Sequence, residues 1–457
     1  MKLKKFGKAL LMSALSVGAV LGVSSCVQSY TVGFLFVTGN ETAGTTGQGY
    51  INGFKIDHNT GNLVQINGLP VSSGGSNPGR AVLAVASRFL YVLNRGTDKA
   101  TGGPCTETTT SCDGAQINQF AVGGTGFLAP QGTAYFTQGM NPFRIVVDGQ
   151  GRFLFALDAV APTVPVTPTQ NACQAVLGAA ATSCGDVTAF QIDQSTGRLS
   201  LVQNTQVSSA TGTRLPFFPV PAHPIDMSLS SSFLFTLAGQ PGATPNSGDV
   251  VFPYAFSSST GQLSISQNSS QPINAAQGTA IVAANGVIYV LDNEPITIQS
   301  GSNFAAGTYL SQLLPFTTGT GGALQAQTGG AVPDDPNQTN PIMLVAETKG
   351  KWVYLANQGS AGSSTTPVLG IVGYVIDPQS KQLTPMAGSP FSTGSGPQCL
   401  LEDPSNQFFY TANFNDSSVT GNSLDVNAGV LGHKGKVTGP FKLPGPPAWC
   451  LISGRTS

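Results

Sequence analysis

Charge is what this sequence has least of. Only 9% of its 457 residues are Asp, Glu, Lys or Arg, against roughly 25% in an average soluble domain. No basic stripe exists to attract a phosphate backbone, so nucleic acid is excluded as a partner. Histidine occurs three times, as His58, His223 and His433. They are too scattered for a zinc cluster, and no metal is expected. No Gly-rich loop opens a helix to hold phosphates, and no G-x-S-x-G elbow joins a strand to a helix, so no cofactor is expected either. Asp334-Asp335 is a lone pair in a Pro-rich loop, not an EF-hand-type site.

Long hydrophobic runs are also scarce. The longest, Ala9 to Leu21, follows Lys2, Lys4, Lys5 and Lys8 and is too short to span a bilayer comfortably. Val23-Ser24-Ser25-Cys26 comes next and resembles the lipobox of bacterial lipoproteins. The resemblance implies a signal peptide over residues 1–25 and acylation of Cys26, which would anchor residues 26–457 to the cell envelope. The alternative is ordinary signal cleavage beside a stray Cys26. Val27 is not the Asp associated with inner-membrane retention, so the outer membrane is favoured, with the protein periplasmic or surface-facing. The membrane is then reached through the lipid alone. Cleavage leaves 16 basic and 21 acidic residues, a formal charge near −5.

Six cysteines follow Cys26, an even number that favours disulfides in an exported chain. Cys105 and Cys112 bracket a Thr-rich loop, and Cys173 and Cys184 an Ala-rich one. Cys399 and Cys450 remain.

What the chain does have is one word written seven times. Phe34-Leu-Phe-Val-Thr-Gly-Asn40 opens the series, followed by Arg88-Phe-Leu-Tyr-Val-Leu-Asn94 and Phe153-Leu-Phe-Ala-Leu-Asp158. Phe233–Leu237, Val287–Asp292, Trp352–Asn357 and Phe408–Asn413 complete it. Each is a short, bulky apolar run closed by a turn residue, the mark of a buried strand. Self-similarity at 54 to 80 residues signals a radial repeat. Around each copy a four-strand unit is legible. Strand A begins near Pro78, Pro142, Pro224, Pro341 or Pro397, and the repeated word is strand B. Strand C ends in words such as Phe54-Lys-Ile-Asp57, and a Thr-Gly hairpin such as Ser195-Thr-Gly-Arg-Leu199 leads into strand D. The expected fold is all-β, a seven-bladed β-propeller of four-stranded antiparallel blades.

The two chain ends are complementary. The mature chain starts on a B strand at Val32–Val37 with no A strand before it, and it finishes on an A strand, Pro446-Pro-Ala-Trp-Cys-Leu-Ile452, with no B strand after it. Residues 446–457 should therefore complete the first blade. That closure makes Cys399 and Cys450 neighbours on adjacent A strands and predicts a third disulfide, the alternative being two separate buried thiols.

In such a ring the A–B and C–D turns lie on one face and the B–C and D–A loops on the other. Every long loop belongs to the second set: both local cysteine loops, Gly239–Gly248, Asn293–Gly307 and Asn357–Gly370. Elaborated loops on one face of a rigid scaffold mark its binding side, so a small-molecule or protein ligand is expected at that mouth. The second residue after each strand-A Pro gives Arg80, Arg144, Asp226, Met343, Cys399 and Trp449. Arg80 and Arg144, with Trp449 nearby, could hold an anion, or the arginines could merely brace the blades. His223, just before Pro224, is the candidate base, with Asp226 beside it. His58 and His433 read as solvated turn residues, and Glu347, Glu402 and Asp148 as A–B turn residues on the opposite face.

With repeat, closure and hairpins assembled, the chain resembles the seven-bladed lactonase-like propellers, the group of bacterial 6-phosphogluconolactonase and carboxymuconate cyclase. Phe36-Val-Thr-Gly-Asn40 is similar to the word of YVTN-type repeats, and Ile-Asp…Thr-Gly-x-Leu with Gly388-Ser-Pro-Phe391 resembles the lactonase-like branch. The resemblance spans residues 30–457. It implies the fold and, as an alternative to ligand binding, hydrolysis of an acidic lactone with His223 activating water.

Overall fold

Burial explains why the repeated word is so apolar. Phe89–Asn94, Val287–Asp292, Trp352–Asn357 and Phe408–Asn413 are buried at every position, including the closing Asn or Asp. A computed structural model describes residues 30–41, 48–106, 109, 111–240, 248–266, 271–300, 302–359, 368–432 and 437–454. The leader, Cys26 and His433 lie outside the described residues, as do most of the Gly239–Gly248 and Asn357–Gly370 loops.

The strands form seven antiparallel blades in a ring. Innermost are the A strands: Pro78–Ala84, Met140–Val147, Pro224–Leu229, Gly278–Ala284, Pro341–Ala346, Pro397–Glu402 and Pro447–Gly454. The last of these pairs with Thr31–Asn40, placing Cys450 opposite Val37 and Leu451 opposite Phe36. The tail thus supplies the strand missing at the head. In blades 1 and 3 to 6 the outermost strand is broken in two, both pieces pairing with strand C.

The C–D hairpins show why Asp and Gly recur there. Asp57 Oδ1 accepts the backbone N–H groups of Asn59 and Thr60, and Asp193 and Asp377 repeat the arrangement in their own blades. Gly61 and Gly197 have φ near 69°, a left-handed conformation that L side chains rarely adopt. A Cβ there would meet Phe408 or Phe89 of the adjacent blade at 2.4–2.5 Å. The same glycines accept through their carbonyls: Tyr410 donates to Gly61 at 2.7 Å and Tyr91 to Gly197 at 2.5 Å. At these joints a tyrosine hydroxyl thus ties one blade to its neighbour.

Three disulfides are formed: Cys105–Cys112, Cys173–Cys184 and Cys399–Cys450. The third joins the A strands of blades 7 and 1, with a Cα–Cα distance of 5.9 Å. One expectation needs correction. His58 is half-buried and stacked on Tyr30, with ring centroids 4.3 Å apart. Asp334, of the Asp334-Asp335 pair, is 3% exposed and accepts from Ser311 Oγ and Asn357 Nδ2, which makes it a buried anchor of the blade.

Candidate functional site

The A strands of blades 2, 3, 4 and 6 begin with the same backbone event. The residue before the proline is left-handed at Asn77 (φ 53°), Asn141 (57°), His223 (56°) and Asn340 (56°). The ladder with strand B then slips by a bulge, between Pro142 and Arg144, Pro224 and Asp226, Pro341 and Met343, and Pro397 and Cys399. Bulges of this kind re-aim side chains.

In blades 2 to 4 that position holds Arg80, Arg144 and Asp226, and the three meet. Arg80 Nη2 lies 3.1 Å from Asp226 Oδ2, and Arg144 Nε lies 3.2 Å from Oδ1. The Ile281 backbone N–H of blade 5 donates to the same carboxylate at 3.2 Å. The Asp226 side chain is 1% exposed while the guanidinium side chains are 16% and 19% exposed, so the acid sits behind and the bases face outward. Such charge-assisted contacts fix two long side chains in one geometry.

The arginines border a cavity of about 290 Å³, also lined by Arg95, Phe143, Phe414 and Trp449. The Arg80 guanidinium lies 4.6 Å from the Trp449 ring centroid, and those of Arg144 and Arg95 lie 5.2 and 5.9 Å from that of Phe143. No carboxylate is among its lining residues. Three guanidiniums thus line the cavity beside flat apolar walls. Asn40, Arg95 and Phe414 lie at the ends of B strands and Asn77 and Pro78 at the start of an A strand, which places the opening on the long-loop face. Asn77 and Asn141, the left-handed corners of blades 2 and 3, donate to Cys105 O and Thr106 O, both at 2.8 Å. The first disulfide loop is therefore docked on two blades beside the cavity.

The structure brings together Arg80, Arg144, Asp226 and Trp449 and leaves His223 out. His223 is exposed, does not line the cavity, and occupies the corner that Asn fills in blades 2, 3 and 6. Its carbonyl accepts from Gly239 N at 3.0 Å. Asp226, already held by two guanidiniums and an amide, is a brace between blades as well as the holder of the arginines. Asp148 accepts the Arg152 and Phe153 amides at its A–B turn, which agrees with a turn role. Sequence reasoning missed Arg95. Its signal was a charge directly after the Asn that closes strand B, in a chain with few charges.

No family model matches this chain, and no curated protein matches it. Solved structures do. A putative 6-phosphogluconolactonase from Bacteroides uniformis is 12% identical, with a TM-score of 0.59 over 93% of this chain and 100% of that one. The periplasmic gluconolactonase PpgL of Pseudomonas aeruginosa is 17% identical, with a TM-score of 0.61 over 93% and 100%. A putative 6-phosphogluconolactonase from Bacteroides fragilis is 14% identical, with a TM-score of 0.56 over 92% and 98%. The likeness is one of fold: this chain is a seven-bladed propeller like theirs.

Proposed function

We propose that this chain is an exported, lipid-anchored propeller of the cell envelope that binds a small organic anion in the arginine-lined cavity at its long-loop mouth. The observation that carries the reading is the buried Asp226 holding Arg80 and Arg144 outward into a cavity with no acid of its own. Guanidinium forks suit a carboxylate, and Trp449 and Phe143 offer flat faces to the body of a ring-sized ligand. Three disulfides fit an oxidising compartment. The second reading is hydrolysis of an acidic lactone, supported by the likeness to the Pseudomonas aeruginosa gluconolactonase. It ranks lower because His223 is outside the cavity and Asp226 is already occupied. Calorimetric titration of the mature protein with gluconate, beside an assay on glucono-δ-lactone, separates the two. Saturable binding without turnover is the expected result. Turnover abolished by His223→Ala would replace binding with hydrolysis, and no heat with gluconate or a panel of other sugar acids would remove the reading. Palmitate labelling lost in Cys26→Ala tests the anchor.

A further inference from the structure

Asp158 and Asp186 are register partners on strands B and C of blade 3, and both are 0% exposed. Among the described residues neither carboxyl has a cationic partner. Asp158 Oδ1 accepts the Thr137 hydroxyl at 2.6 Å. The Thr188 hydroxyl lies 3.5 Å from Asp158 Oδ2 and 3.3 Å from Asp186 Oδ2, and it accepts the Gln138 N–H at 2.9 Å. Asp186 Oδ1 is buried without any hydrogen-bond partner.

Two ionised carboxylates cannot share such a dry site cheaply, and a single proton relieves both repulsion and desolvation. One arrangement satisfies every group around Thr188. Asp186, as the acid, donates through Oδ2 to Thr188 Oγ1, and Thr188 donates on to the Asp158 carboxylate. Burial pushes both carboxyls above the ordinary aspartate range, and the charge of Asp158 pushes Asp186 up further. The surrounding elements offer no compensating charge. Strand A brings Arg144, which is engaged by Asp226, and Phe217–Val220 brings no titratable side chain. Tyr135 donates to Gln119, and His223, at the adjacent corner, is exposed.

We propose that Asp158 and Asp186 share one proton at neutral pH, relayed through Thr188, and that losing it to solvent in alkali loosens the rim of blade 3 from Gln138 to Arg144. That rim carries Phe143 and Arg144 to the cavity, and Pro142 is the ladder partner of Asp158. The inference stands whether or not the cavity binds an anion. Unfolded aspartates titrate near pH ~3.9, so the folded dyad binds the extra proton above that pH. Stability therefore falls as pH rises from about 4 until the dyad is fully ionised.

The test is hydrogen exchange at Gln138, Met140, Asn141, Phe143 and Arg144 across pH 6 to 9, corrected for intrinsic rate, with infrared spectra of the carboxyl C=O stretch. Wild type should lose protection about tenfold or more over this range, and Asp186→Asn, whose amide can replace the donor to Thr188, should not. The wild-type minus Asp186→Asn spectrum should show a carboxylic acid band at pH 6 that fades by pH 9. Asp158→Asn offers a second way to remove the shared proton if the first variant does not fold. An unchanged pH slope in the folded variant, or a difference spectrum without that band, would overturn the proposal.

Discussion

A bulge near the start of strand A recurs in both halves of the ring, yet the halves differ in what stands on it. Blades 2 to 4 place Arg80, Arg144 and Asp226 there, whereas blades 5 to 7 place Ala280, Met343 and Cys399. On the apolar side the position is spent on holding the ring: Cys399 is bridged to Cys450, and the Leu400 amide lies 3.4 Å from Met343 Sδ. On the charged side it builds a cationic wall. A radial repeat fixes where side chains point, and the local residue then decides whether that place is scaffold or site.

The largest effect should come from Asp226→Ala. It leaves two guanidiniums side by side over a dry wall and strands the Ile281 amide, at a cost of about 3–5 kcal/mol, read from the urea midpoint. A loss under about 1 kcal/mol would mean that water screens the pair and that the two halves differ little. In the apolar half the counterpart is Cys399→Ser with Cys450→Ser. Opening that loop should cost about 4 kcal/mol by chain entropy, with sugar-acid affinity unchanged while the protein stays folded. Arg144→Gln should weaken gluconate binding about tenfold, in line with the 1.5–3 kcal/mol typical of hydrogen bonds to charged groups, and lower the urea midpoint by less than Asp226→Ala does, because Arg80 and the Ile281 amide still hold the carboxylate. Met343→Gln should leave binding as it was. Smaller and equal effects are expected where the halves are built alike. Tyr91→Phe and Tyr354→Phe each remove one hydroxyl bond to a glycine of the next blade, at about 1 kcal/mol apiece. The smallest belongs to His223→Asn, which keeps the left-handed corner and should stay within about 0.5 kcal/mol.

Much of the fold was legible because the repeated strand is buried on both faces, which forces apolar residues at every position, and because the hairpin turns require Asp and Gly. Ring closure followed from one missing strand and one surplus strand. Arg80, Arg144, Asp226 and Trp449 were found by their shared offset from proline. That offset gave no view of what lies across the channel, so the capture of Asp226 by both arginines could not be read. His223 drew attention as a rare residue, while its place is set by backbone conformation, which Asn satisfies elsewhere. Asp158 looked like one more strand-closing residue. Its partnership with Asp186 depends on cross-strand register, which no local pattern displays.

The most direct test of the arginine-lined cavity is a crystal structure of the mature protein soaked with gluconate. The account predicts the carboxylate against the Arg80 and Arg144 guanidiniums, with the sugar chain beside Trp449 and Asp226 still buried behind them. Gluconate bound on the short-turn face, or a cavity left empty at saturating ligand, would contradict it.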